Sequence, residues 1–502
     1  MTAQLAALLR LRASILTRAE RTRVALALAA VAVLGGLAVI WGAFVGDRLA
    51  EDVRSDLLVL LPTAFLAFGL TAAVAAIASS GGREVLPRAQ LAPFPVSPAA
   101  DYVGAVLLAP FNLAWILQAV ALGALVAAAV GPTAGVAAAV TTTAAWVVTA
   151  TVLAQALAWA VELARTLPGG VWLVRGAGAI LAVAVLLLSV TGRLLPLLDD
   201  SPTLRVVVQA LQGAGGQWLP WLRGLVELTA VAVVALYAGA RLARALSRRP
   251  RRDQGGVETR SYPARADLRS DLLAALRVDR AGVWRSAPLR RGLLVLALLP
   301  GGAAALAGLS WELLPMLPAL VASAAALLFG VNAFGVDAGG AVWRESLPAR
   351  HGTWLSARAV VLAEVVLAAS LLAVGVAAAR APSPPSVAAA VAVSVAVVVA
   401  AAQVLARCLQ WSLHRPHRAD LRNPRDAAAP PAAMAWYSAR LALSTTLVGV
   451  ALTLAARADS PTWSVLVGTP VLLLALRRLV TCGREWGEPE IRARVVSTVA
   501  SG

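Results

Sequence analysis

The chain has 502 residues, of which 60% are apolar and only 14% charged, more apolar surface than soluble cores of this length bury. All of its 44 basic residues are arginine, which excludes a P-loop lysine and a Schiff-base lysine and with them nucleotide hydrolysis through a P-loop and pyridoxal chemistry. The net charge of +18 sits in loops flanking apolar blocks, where lipid headgroups and topology account for it without nucleic acid.

In chain order, Leu5, Leu8, Ile15 and Leu16 fall on one stripe at helical spacing, which predicts an amphipathic surface helix with Arg12 inside the stripe. Apolar blocks that match the roughly 20 residues needed to cross a bilayer then follow at 24–45, 57–78, 103–130, 135–161, 172–191, 220–242, 291–309, 313–335, 356–379, 387–410, 437–457 and 462–480. Only Gly131-Pro132-Thr133 divides the third block from the fourth. The expected fold is therefore all-α: a polytopic integral membrane protein of about 12 transmembrane helices. If both termini share one side, 37 arginines lie on that side and 7 on the other. The positive-inside rule then makes both termini cytoplasmic. A multi-pass protein of the bacterial inner membrane is expected, and the first block is too long, and lacks a clear cleavage site, for a signal peptide.

The plan repeats. Shifting by 268 residues aligns positions 5–24 with 273–292 at eight of twenty positions, Arg12 with Arg280 among them. Leu273, Leu276, Val283 and Trp284 predict a second surface helix before the seventh block. Two pseudo-repeated six-helix halves follow, at 1–245 and 268–502, with 246–267 as an arginine-rich cytoplasmic linker. In each half a loop after the second span carries Gly-Gly, then Arg-Glu, then a proline turn: Gly81-Gly82, Arg83-Glu84 and Pro95 in one, Gly339-Gly340, Arg344-Glu345 and Pro348 in the other.

Charged residues inside spans are functional candidates. Glu227 has Arg223 one turn away and is expected in an ion pair. Glu364 has no sequence-local partner, so three roles stay open: lining a pathway, pairing with an arginine of another span, or remaining protonated. Asn112, Gln118 and Gln155 are further polar positions, more often used for helix packing. Cys408 and Cys482 are expected as thiols, and His351, His414 and His417 have no zinc-site spacing.

The surface helices, the two long loops, and above all Asn332-Ala333-Phe334-Gly335-Val336-Asp337 leading to Gly339-Gly340-Ala341-Val342-Trp343 and Leu347-Pro348-Ala349-Arg350 resemble type-2 ATP-binding-cassette (ABC) exporter permeases with two halves fused. The resemblance covers nearly the full length in architecture but only these loops in specific residues. It implies a transporter subunit that is not itself an enzyme and holds no cofactor, with ATP and Mg bound by two copies of a cytoplasmic ATPase partner. It further implies that Arg83, Glu84, Pro95 and Ser97 in one loop, and Asp337, Trp343, Arg344, Glu345 and Pro348 in the other, contact those ATPases. Glu364, Asn112 and Glu227 are left as pathway candidates. The family also carries a short re-entrant helix pair between its fifth and sixth spans. Residues 192–219 can supply it in the first half, but the second half has only Ala458–Pro461 there.

Two rivals fit less well. A proton-coupled secondary transporter of major-facilitator type expects a glycine-aspartate-arginine-glycine-arginine pattern where this chain has Gly81-Gly82-Arg83-Glu84-Val85. A membrane glycosyltransferase needs outward acidic residues, for which only Glu51-Asp52, Asp56 and Asp199-Asp200 are placed, without an aspartate-x-aspartate pattern.

Overall fold

The computed structural model describes residues 18–78, 97–109, 113–249, 270–285, 287–325, 332–418, 429 and 431–501. The described residues form helices and turns without a strand. Seven of their helices are long and apolar enough to cross a bilayer, with several shorter apolar ones beside them. The chain is an all-α polytopic membrane protein. It divides into two compact units, Met1–Arg252 and Asp253–Gly502.

The first unit contains α1 (Arg18–Arg48), α2 (Glu51–Ala78), α3 (Pro98–Leu108), α4 (Leu113–Val130), α5 (Val136–Arg165), α6 (Gly170–Val190), α7 (Leu194–Asp199), α8 (Thr203–Ala214) and α9 (Trp218–Ser247). The expected third span is met by α3 and α4, and residues 110–112 between them lie outside the described residues. Helix α1 runs along α4, and α5 along α9. Lipid supplies no hydrophobic drive for such pairs, so small residues that let backbones approach decide where they form. A Cβ on Gly42 or Gly46 of α1 would stand 2.4 or 2.1 Å from the carbonyl oxygens of Ala124 and Ala128 on α4. Where α9 crosses α3, a Cβ on Gly239 would enter the ring of Tyr102.

The second unit contains α10 (Asp271–Arg285), α11 (Ala287–Leu306), a 3₁₀ turn (Trp311–Leu313), α12 (Met316–Ala325), α13 (Gly340–Glu345), α14 (His351–Ala378), α15 (Val387–His414), α16 (Pro431–Arg457), α17 (Pro461–Gly487) and α18 (Pro489–Ala500). The dominant pairings recur: α11, its first span, runs along α14, its third, and α15 along α17. Glycine again marks the first of these contacts, since a Cβ on Gly301 would lie 2.4 Å from the carbonyl oxygen of Ala373. Gly46→Val is expected to cost about 1–3 kcal/mol through overpacking, read as a lower thermal midpoint in detergent. Gly36→Ala, on the same helix with open space at its Cβ, leaves that midpoint in place.

The units differ around their fifth spans. In the second, α16 packs on α12, α15 and α17. In the first, the corresponding partners α2, α5 and α9 are met by the short helix α8, which buries Val206, Val207 and Ala210 against them. The Thr203 hydroxyl fastens α8 to α2 by donating to the Pro62 carbonyl at 2.8 Å. Gly135 admits the other end of α8, its Cβ position lying 2.1 Å from the Ala214 carbonyl oxygen. Helices α7 and α8 fall where the short pair was expected.

Three sequence expectations need correction. The eighth span, expected to reach 335, has already given way to turns by Asn332. The terminal helix α18 has no counterpart in the sequence reading. The apolar stripe of α10 is centred differently: Ala275, Leu276, Asp279 and Val283 are buried, whereas Leu273 and Trp284 are exposed. The cause is α14, against which α10 packs and whose Arg358 draws Asp279 inward. Arg12 and the helix predicted around it lie outside the described residues.

Candidate functional site

The segment from Asn332 to Arg350 begins as a series of turns. Its first residues are tied to α15: the Ala333 amide donates to Ser412 Oγ at 2.8 Å, and Asn332 Nδ2 donates to the His417 carbonyl at 2.6 Å. Burial and the neighbouring Arg415 hold the His417 imidazole below its usual range, so it stays neutral at this junction. Ala338 then adopts φ 43°, a left-handed conformation uncommon for a residue with a side chain, and Gly339-Gly340 lead into the short helix α13. Arg350 returns to extended backbone and starts α14.

Four charges close this turn against the helices. Asp279 of α10, 2% exposed, meets Arg358 of α14, with Nε to Oδ2 at 3.0 Å, and Arg344 of α13. Asp337 receives Arg358 Nη2 at 2.7 Å and Arg344 Nη1 at 2.9 Å. Arg358 Nη1 donates to the Ala333 carbonyl at 2.8 Å. Each carboxylate thus faces two guanidiniums and the set is electrically neutral, the condition under which buried charges are tolerated. The Arg344 guanidinium also lies 4.8 Å above the Trp354 ring.

Helix α18 closes the other side. Arg492 Nε donates to Glu345 at 2.5 Å, and its Nη1 donates to the Trp486 carbonyl at 3.1 Å at the end of α17. His351 Nδ1 stands 3.2 Å from the same Glu345 carboxylate. Trp486 stacks on Phe334 with ring centres 4.8 Å apart and donates its indole N–H to the His351 carbonyl at 3.0 Å. Phe334, Trp354, Trp486, Val495 and Val499 line a cleft beside the ion pairs. The segment is therefore gripped by α10, α14, α15, α17 and α18, all in one unit.

Its outward face carries two large apolar side chains, with Ser346 and Arg350 also exposed. Val342 and Trp343 of α13 are 57% and 63% exposed, and Pro348 is exposed beyond them. Of the loop residues singled out from sequence, Asp337, Arg344 and Glu345 are engaged within the fold, while Trp343 and Pro348 face out. In the first unit Ser97 is the cap of α3, its hydroxyl accepting the Ala100 amide at 3.3 Å. Arg83, Glu84, Pro95 and Asn112 lie outside the described residues.

Glu364 has a partner, Arg280 of α10, whose Nε donates to Oε2 at 2.8 Å while a second nitrogen meets Oε1. Helix α10 is thus ion-paired to α14 at two levels, Arg358 and Glu364. The outer pair is half-exposed, and Glu364→Gln is expected to move the thermal midpoint far less than any change at Asp279. Glu227 pairs with Arg223 at 3.1 Å on the surface of α9, and Gln118 accepts the Thr71 hydroxyl at 3.1 Å. Both cysteines are buried. Among the described residues no three His, Cys, Asp or Glu side chains converge as metal ligands would.

Sequence reasoning missed Asp279, Arg358, Trp486 and Arg492. Two left a signal: Asp279 stands between Leu276 and Val283 on one helical face, and Arg358 lies inside the predicted span 356–379. Arg492 and Trp486 left none, because their partners are far away in sequence. No protein family, curated protein or solved structure matches the chain.

Proposed function

We propose that this chain is the membrane permease subunit of an ATP-driven exporter, set in a bacterial inner membrane with both termini cytoplasmic, and that α13 receives one of two partner ATPases. The observation that carries the reading is the way residues 332–350 are built. An exposed valine and tryptophan sit on a six-residue helix whose own charges all turn inward. A displacement of α13 therefore reaches α14 through Arg344, Asp337 and Arg358, and reaches α10 through Asp279, instead of dissipating in a slack loop.

The arginine asymmetry supports the cytoplasmic placing of this end, and the lysine-free sequence, which has no P-loop of its own, supports an ATPase carried by a partner. By resemblance, the loop bearing Arg83, Glu84 and Pro95 is the second docking point. Closure of the ATPases around ATP would then rock the two halves to open an outward path. The rival reading, proton-coupled transport through Glu364, loses support from the pairing of that carboxylate with Arg280. Reconstitution of the chain with its companion P-loop ATPase in liposomes tests the proposal. Hydrolysis should rise over the ATPase alone, and an unchanged rate would speak against coupling.

A further inference from the structure

Three arginines of the second unit converge with no carboxylate paired to them among the described residues. Arg407 lies seven residues before the end of α15, Arg440 nine after the start of α16, and Arg478 nine before the end of α17. Helices α15 and α17 run towards this end and α16 runs away from it, so helix rise puts all three charges at one level, roughly 10–14 Å from the helix ends. The three helices pack on one another, and Arg440 and Arg478 lie within electrostatic reach of Arg407. The acidic residue that follows on α17, Glu485, is two turns further on and is engaged with His414 at 3.7 Å.

Three like charges at one level are costly unless an anion joins them. Snorkelling into headgroups would account for the exposed Arg440 alone, but two buried polar groups beside the cluster ask for more. Tyr437 is 3% exposed, with Trp411 packed on it at 5.3 Å between ring centres. Its hydroxyl has no hydrogen-bond partner and lies within electrostatic reach of Arg407. Gln403, one turn before Arg407 and on the same face of α15, likewise leaves its buried Oε1 unpaired. A buried polar atom without a partner needs an explanation such as a bound water or ion, and here two stand beside three unpaired positive charges.

We infer that Arg407, Arg440, Arg478 and the Tyr437 hydroxyl form a binding site for a phosphate-bearing anion, of which an anionic phospholipid headgroup is the form the membrane supplies. The guanidiniums hold the phosphate oxygens, the tyrosine donates to one of them, and Gln403 Oε1 accepts from a headgroup hydroxyl. The site does not depend on the ATPase reading.

The test uses the full chain in nanodiscs of phosphatidylcholine, in nanodiscs with added phosphatidylglycerol, and in phosphatidylcholine nanodiscs with inorganic phosphate. Thermal midpoints and lipid retention by native mass spectrometry are the readouts. Phosphatidylglycerol should raise the midpoint and stay bound. At about a fivefold gain in affinity per arginine, Arg440→Gln should weaken retention about fivefold and the triple Arg407→Gln, Arg440→Gln, Arg478→Gln variant about a hundredfold. Tyr437→Phe, which keeps the packing, should weaken it about tenfold. An equal midpoint rise with inorganic phosphate alone would support the site and name a soluble phosphate as its ligand. Retention unchanged in Arg440→Gln, or unchanged in Tyr437→Phe while all arginine variants fall together, would reduce the effect to general attraction and overturn the site. No response to either anion would overturn it as well.

Discussion

Asp279→Asn is expected to be among the most damaging single substitutions in the second unit, lowering stability by about 3–5 kcal/mol. The carboxylate is almost wholly buried and faces two guanidiniums, Arg344 and Arg358. Its loss leaves two positive charges inside the fold with Asp337 alone to balance them. The thermal midpoint of the full chain in mild detergent checks this, with Asp271→Asn as a control at an exposed position on the same helix. A sharper form adds Arg344→Gln. Removing one charge of each sign restores neutrality, so the double variant should be more stable than the two single effects predict, with a coupling of roughly 1–3 kcal/mol. Simple additivity would show that the four charges do not act as a set.

Trp343→Glu should behave in the opposite manner. The side chain is exposed and makes no contact that holds the turn, so stability should stay within roughly 0.5 kcal/mol of the parent. Association with a partner should suffer instead, because a central aromatic anchor in an interface contributes about 2 kcal/mol or more, near thirtyfold in affinity. Reversing Arg344 and Glu345 would be a poor probe of docking, since both hold the turn from within. A tryptophan variant separates contact with the proposed partner from integrity of the chain, and binding affinity measured alongside thermal midpoint shows which has changed.

The helical framework was legible because apolar blocks of membrane length announce themselves regardless of context. Residues 387–410 reappear inside α15, and 356–379 matches α14 to within one residue at its end, because a helix must satisfy its own backbone in lipid. The turn at Gly339-Gly340 was legible too, whereas the short helix pair between 192 and 219 was expected from the family resemblance. What the sequence did not yield is how the loop is held. The ion pairs 279–358 and 345–492 join residues remote in the chain, and no local period or spacing encodes them. Asp279 is instructive: a single carboxylate among Leu276 and Val283 left the periodicity intact while changing what the face does. The same holds for Glu364, whose partner sits on a helix read only as a membrane-surface element.

The central claim is that an exposed, rigidly held helix couples a partner ATPase to the membrane spans. Affinity purification of the tagged full chain from its native host in mild detergent tests it most directly, with identification and stoichiometry of what travels with it and an assay of ATP hydrolysis. The account predicts a P-loop ATPase at two copies per chain, depleted in the Trp343→Glu variant at an unchanged thermal midpoint. A chain that purifies alone without ATPase activity, or an ATPase retained equally by Trp343→Glu, would contradict it.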